Sequence, residues 1–125
     1  MDIRQIGTSP FNYRSYSEFR FIQYLQQISH VMALQPRTVL EIGPGDHTVT
    51  DFLRRKGYQV TTVDSDPALS PDLLVDIRKE FDLCRRFDVI LASKVLEHIP
   101  ARMVGEVLDR MVRHLNSGGS AVIAV

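Results

Sequence analysis

Apolar positions along this chain follow two rhythms. Short, nearly continuous apolar runs occur at Thr38–Ile42, Tyr58–Val63, Phe87–Ala92 and Ser120–Val125. Runs of that length and character suit parallel strands covered on both faces. A weaker run at Leu73–Asp76 suits a third strand between the second and fourth. Between the runs, apolar residues recur three and four apart, the spacing of one helical face. Phe21, Leu25, Ile28 and Met32 mark a first helix. It opens at the capping-box pair Ser15 and Glu18 and stops before Gln35-Pro36, because a residue preceding proline avoids the helical region. Val49, Phe52 and Leu53 mark a second helix, with Asp46 as its expected N-cap, three basic residues at its end and Gly57 as its stop. Pro67–Ser70 reads as a turn or short helix. Pro100 opens a third helix with Val104, Val107, Leu108, Met111 and Leu115 on one face, ended by Asn116–Gly119. On its outer face, Arg102–Glu106, Glu106–Arg110 and Asp109–Arg113 form exposed pairs that support it weakly.

Strands alternating with helices predict an α/β parallel sheet with right-handed crossovers. Residues 1–35 supply an arm and a helix, and residues 36–125 the core of what is one domain. In such sheets ligands bind past the carboxyl ends of the strands. The turn after Ile42, together with Asp64, Asp76 and Ser93, falls just past a strand end, so four polar positions gather on one rim.

Composition narrows the function classes. At 125 residues the chain is long enough for one real core. Fifteen basic and fifteen acidic residues cancel, so no general field favours nucleic acid or an anionic membrane. A single cysteine, Cys84, suits a reducing cytoplasm. No apolar run is long enough for a membrane helix.

The chemistry centres on Glu41-Ile42-Gly43-Pro44-Gly45-Asp46-His47-Thr48. Glycines there let backbone N–H groups approach a ligand; a plain tight turn is the alternative. Asp64 ends the next strand, where a carboxylate suits the two hydroxyls of a ribose or, equally, a solvated strand end. The dinucleotide pattern G-x-G-x-x-G has Thr48 in place of its last glycine. Glu41 would repel a pyrophosphate and attract a ligand bearing an ammonium and a sulfonium.

The runs VLEIGPGDH (39–47), VTTVDSDPAL (60–69), LLVDI (73–77), FDVILASKVLEHIP (87–100) and LNSGGSAVIAV (115–125) occur in order. Together they make residues 36–125 resemble the class I S-adenosylmethionine-dependent methyltransferases, and the VLEHI run resembles the branch acting on small molecules. That resemblance implies a Rossmann-like three-layer sandwich with strand order 3-2-1-4-5, truncated relative to the seven-stranded family fold. It implies S-adenosyl-L-methionine as cofactor and S-adenosyl-L-homocysteine as product. Gly43, Pro44 and Gly45 would lie against the methionine part, and Glu41 would orient its amino end. Asp64, with Ser65, would hold the ribose; Asp76 would meet the adenine amino group with Ile77 packed nearby. Ser93, Lys94 and Val95 would line the pocket beside the methyl group. The acceptor would be a small molecule, and no metal is required. His98 is the candidate base, its alternative being a cap on the loop before Pro100. Glu97, His30 and His114 read as surface or partly buried groups, and Tyr13 and Tyr16 as packing residues that could also cover the cofactor.

Two departures from the family pattern stand out. His47 occupies the usual third glycine position, where a side chain would crowd the helix start or narrow the pocket. The sequence also stops at its fifth strand, an apolar edge prone to pairing. The expected readings are a fragment of a longer enzyme, a degenerate relative, or a protomer that forms a homodimer through that edge, and a cofactor-binding module or inactive relative without efficient turnover is the alternative function.

Overall fold

A computed structural model describes residues 18–125. The start of the first helix at Ser15, and Tyr13 and Tyr16, lie outside the described residues. The elements in order are α1 (Glu18–Ala33), β1 (Thr38–Ile42), α2 (Thr48–Arg55), β2 (Gln59–Asp64), a 3₁₀ turn (Pro67–Leu69), β3 (Leu73–Leu74), β4 (Phe87–Ser93), a second 3₁₀ turn (Leu96–His98), α3 (Ala101–Val112) and β5 (Leu115–Ala124). They form one five-stranded sheet of order β3-β2-β1-β4-β5 with every pair parallel. This is the α/β order that the family resemblance implies.

Alternation along the central strands sorts the core into two layers. Val39, Val89 and Leu91 face one side and bury against Ile28 and Val31 of α1 and Val49 and Leu53 of α2. Leu40, Ile42, Ile90 and Ala92 face the other and bury against Val107 and Met111 of α3. Side chains this enclosed contribute about 1.5–3 kcal/mol each through removal of apolar surface from water. No helix among the described residues is long and apolar enough to cross a membrane.

Several local expectations need correction. The buried stripe of α1 is Gln27, Ile28 and Val31, whereas Phe21, Leu25 and Met32 are exposed. The apolar spacing of those three was real, but the inward face is set by the packing of α1 on α2, β4 and β5. Phe52 of α2 is likewise exposed. Asp46 is not the N-cap residue of α2: His47 is, in a left-handed conformation. Asp46 still receives the Thr48 N–H on its side chain, at 3.1 Å, from one position earlier. β3 ends at Leu74, short of Asp76.

The fifth strand begins at Leu115, which leaves the helix face assigned to it, and not at Ser120. Phe87 pairs with Leu115 and Val89 with Ser120, so the residues between them bulge. Gly119 makes the bulge possible, since a Cβ there would meet the carbonyls of Asn116 and Asp88 at 2.9 Å. Arg110 is not an exposed pair member on α3 but is buried, as described below.

The amino-terminal rim of the sheet is tied by one carboxylate. Asp88 accepts the backbone N–H of Arg37 (2.9 Å) and of Thr38 (3.2 Å) and the Asn116 side-chain amide (2.9 Å), joining the starts of β1, β4 and β5. These three donors hold its carboxyl below the usual carboxylate range, the Asn116 amide most strongly.

Candidate functional site

The opposite, carboxyl-terminal rim opens into two adjoining cavities of about 490 and 410 Å3. Both fall in the ~300–1,000 Å3 range of small-molecule sites. They share Gly43, Gly45, Ser93, Lys94 and His98.

The floor between them is the turn after β1. Gly43 has φ +75°, and a Cβ there would come within 2.9 Å of Val95 Cγ2 and 3.9 Å of Asp64 Oδ2. Only glycine leaves this space open, and its backbone is pinned by the Gly43 N–H donating to the Val63 carbonyl at 3.0 Å. Gly45 has φ +56° and opens onto free space. Pro44 and Glu41 line the second cavity rather than the first.

Glu41 sits on the central strand between Thr62 and Leu91 and is buried. It faces α2, where Thr50 donates its hydroxyl hydrogen to Glu41 Oε1. Burial pushes the Glu41 carboxyl up to about 7, against the opposing pull of that hydroxyl and of the nearby His47 and Arg54 side chains. A cation beside it would favour the charged form.

The first cavity collects the other expected positions. Asp64 and Ser65 come from the end of β2, Asp76 and Ile77 from the segment after β3, and Ser93, Lys94 and Val95 from the end of β4. Asp64 Oδ1 accepts the Asp66 N–H at 2.8 Å, which fixes its loop. Asp76 is gripped by Arg78, which donates to both carboxylate oxygens (3.0 and 3.1 Å) and holds the carboxyl below its usual range. Arg78 itself lines the cavity, as do Leu69 and Ile99. Lys94 has φ +58°, a strained conformation for a side-chain-bearing residue, and its N–H is tied to the Ala124 carbonyl at 2.8 Å.

His47 does not crowd this space. Its backbone takes the left-handed region at φ +67°, it lines neither cavity, and Nε2–H donates to the Leu69 carbonyl at 2.5 Å. The residue expected to narrow the pocket instead fastens the glycine turn to the 3₁₀ turn after β2.

The segment after β3 has no regular structure and is held by α3. The buried Arg110 donates to the Ile77 carbonyl at 3.1 Å and to Glu80 and Glu106 at 3.3 Å. His114 is also buried: Nδ1–H donates to the Arg110 carbonyl (2.7 Å), and Nε2 accepts the Leu83 N–H (3.1 Å). Its ring stacks on Phe81 with centroids 4.9 Å apart.

His98 and Glu97 are exposed in the turn after β4, and both line the second cavity. His30 is exposed on α1, away from these two cavities. The far wall of the second cavity comes from α1, including Gln23, Tyr24 and Gln27, none of which the sequence reading assigned to the site. Tyr24 donates to Asp46 Oδ1 at 3.1 Å, and burial raises its hydroxyl pKa. Gln27 donates to Ser93 Oγ at 2.7 Å. The apolar stripe legible in the sequence, Phe21, Leu25, Ile28 and Met32, does not contain Gln27, so spacing gave no signal for it.

A family model described as a methyltransferase domain matches residues 13–125. Among curated proteins, a probable ribosomal RNA small subunit methyltransferase A from Methanosarcina mazei is 30% identical over 73% of this chain and 36% of its own length. Among solved structures, the N-methyltransferase NodS from Bradyrhizobium japonicum WM9, in complex with S-adenosyl-L-homocysteine, aligns with a TM-score of 0.75. It is 21% identical over 96% of this chain and 69% of that one. The sugar N-methyltransferase KedS8 from Streptoalloteichus sp. aligns with a TM-score of 0.72 at 20% identity, over 90% of this chain and 51% of that one. The chain thus spans about half the length of KedS8 and about a third of the archaeal protein.

Proposed function

Because the chain belongs to the class I S-adenosylmethionine-dependent methyltransferase family, we propose that the first cavity holds the adenosyl part of S-adenosyl-L-methionine, that its amino-acid tail reaches past Gly43 toward Pro44 and Glu41 in the second, and that the rest of the second receives a small-molecule acceptor bearing an amine. The observation that carries this reading is the placement of Asp64 across from Gly43 in one cavity, with buried Glu41 beneath the same turn. The residues fit such a ligand. The space beside Gly43 is one a Cβ would fill, and the first cavity's wall carries two carboxylates, Asp64 at the end of β2 and Asp76 in the segment after β3.

When bound, the cofactor supplies a methyl group on a sulfonium. Asp64 accepts hydrogen bonds from the two ribose hydroxyls, and Ser65 flanks them. Asp76 receives the adenine amino group over Ile77. Glu41 attracts the ammonium of the amino-acid tail, while Gly43, Pro44 and Gly45 admit that tail to the turn. Ser93, Lys94 and Val95 border the methyl carbon. Their task would be to orient the acceptor and exclude water beside the methyl group. His98 lines both cavities, which supports it as the group that would take the proton the acceptor loses. NodS and KedS8, both N-methyltransferases by name, support an amine acceptor.

A second reading, methylation of RNA, is favoured by the archaeal relative. Balanced charge, fifteen basic against fifteen acidic residues, places it below the first. Calorimetric titration with S-adenosyl-L-methionine, S-adenosyl-L-homocysteine and NAD tests the cofactor, with binding of only the first two expected. Asp64→Ala should weaken that binding by on the order of a hundredfold, the worth of two hydrogen bonds to a charged group; unchanged affinity would refute the ribose role. Transfer of labelled methyl to amino sugars and small amines, and none to RNA, is the expected turnover result. Tight binding with no transfer to either acceptor class would establish a binding module instead.

A further inference from the structure

Ser93 lies at the junction of the two cavities, and its hydroxyl has a fixed partner on the helix above it. Gln27 of α1 is buried, yet its side-chain amide is not turned to water. It reaches across to β4 and donates from Nε2 to Ser93 Oγ at 2.7 Å. A hydroxyl oxygen that accepts on one lone pair still owns a hydrogen to donate. With the Gln27 amide on one side, that hydrogen is left for the cavity side. The backbone at this point is equally constrained, since Lys94 is held at φ +58° and tied to β5.

The charges around the junction are asymmetric. Glu41 lies below the glycine turn, and Lys94 lies beside Ser93. An amino-acid tail laid between them meets a carboxylate on the Glu41 side and a cation with a free hydroxyl hydrogen on the Ser93 side. We infer that Gln27 is a positioning residue. By donating to Ser93 it aims the Ser93 hydroxyl at the carboxylate of the cofactor's amino-acid tail.

This rests on the cofactor reading above, and two ligands separate the two claims. S-Adenosyl-L-homocysteine carries the amino-acid tail; 5′-methylthioadenosine keeps the adenosyl thioether and lacks the tail. The full chain is titrated calorimetrically with each. Gln27→Met fills the same space with no donor. It should weaken S-adenosyl-L-homocysteine about tenfold, as expected for one hydrogen bond to a charged group, and leave 5′-methylthioadenosine unchanged. Gln27→Glu should show the same selective loss, because a carboxylate draws the Ser93 hydrogen onto itself. Ser93→Ala should weaken S-adenosyl-L-homocysteine as much as Gln27→Met does, with the double variant no weaker than either; on that ligand it carries the test alone if Gln27→Met does not fold. Equal loss for both ligands, or for neither, would overturn the inference. Failure of the unaltered protein to bind either ligand would overturn the cofactor reading and this one with it.

Discussion

Two parts of the ligand rim are built in opposite ways. The turn after β1 is made by the backbone: Gly43 at φ +75°, its N–H on the Val63 carbonyl, and the His47 N–H on the Pro44 carbonyl at 3.0 Å. The segment from Val75 to Arg86, which carries Asp76 and Ile77, has no helix or strand. It is shaped by side chains from another element, with Arg110 on the Ile77 carbonyl, His114 on Leu83 and against Phe81, and Arg113 on Glu80 at 2.6 Å. Backbone geometry is encoded where it occurs. A segment held by remote side chains is encoded wherever its fasteners lie, here some thirty residues downstream.

The sharpest way to break the first region is Gly43→Ala. A left-handed backbone and a Cβ driven into Val95 together should cost about 3 kcal/mol in denaturant unfolding, and the bound ligand should be lost with it. Arg110→Met breaks the second. It leaves the Ile77 carbonyl without its donor, for about 2 kcal/mol. Amide exchange should accelerate in residues 75–86 while the turn after β1 keeps its protection. Acceleration in both regions alike would erase the contrast between them.

The smallest effect concerns Glu41. Its folded pKa stands above its unfolded one, about 7 against 4.5. The folded protein therefore holds more protons across that window, and the stability due to this group is present below pH 4.5 and lost as pH rises through about 7. Glu41→Gln should flatten that decline and raise the melting temperature at pH 8 relative to pH 5, read from melting curves at stepped pH. If the cofactor's ammonium lies against Glu41, affinity in the unaltered protein rises over the same interval. A flat affinity profile would remove that contact from the reading.

The contrast also explains what the sequence disclosed. The glycine turn, the acid at the end of β2 and the parallel strands were legible because each rests on local residue chemistry: glycine for a left-handed turn, an acid at a strand end, and apolar runs for buried strands; the strand order followed from the family resemblance instead. His47 was read with the wrong sign. A side chain at a glycine position suggested obstruction, but its consequence depended on where the ring found a partner, and Leu69 lies in another loop. The α1 contribution was missed for a similar reason. Helical spacing in α1 supports more than one apolar face, and only packing selects the one that brings Gln27 to Ser93. The bulge that starts β5 at Leu115 turned a glycine pair from an apparent stop into part of the strand.

Asp88 has a practical consequence for engineering. Its three donors gather the chain at the end of the sheet remote from both cavities. Thermostability can therefore be selected there, around Arg37, Thr38 and Asn116, in a library whose members keep every group that touches a ligand. Heat tolerance and substrate choice in this scaffold are separate dials.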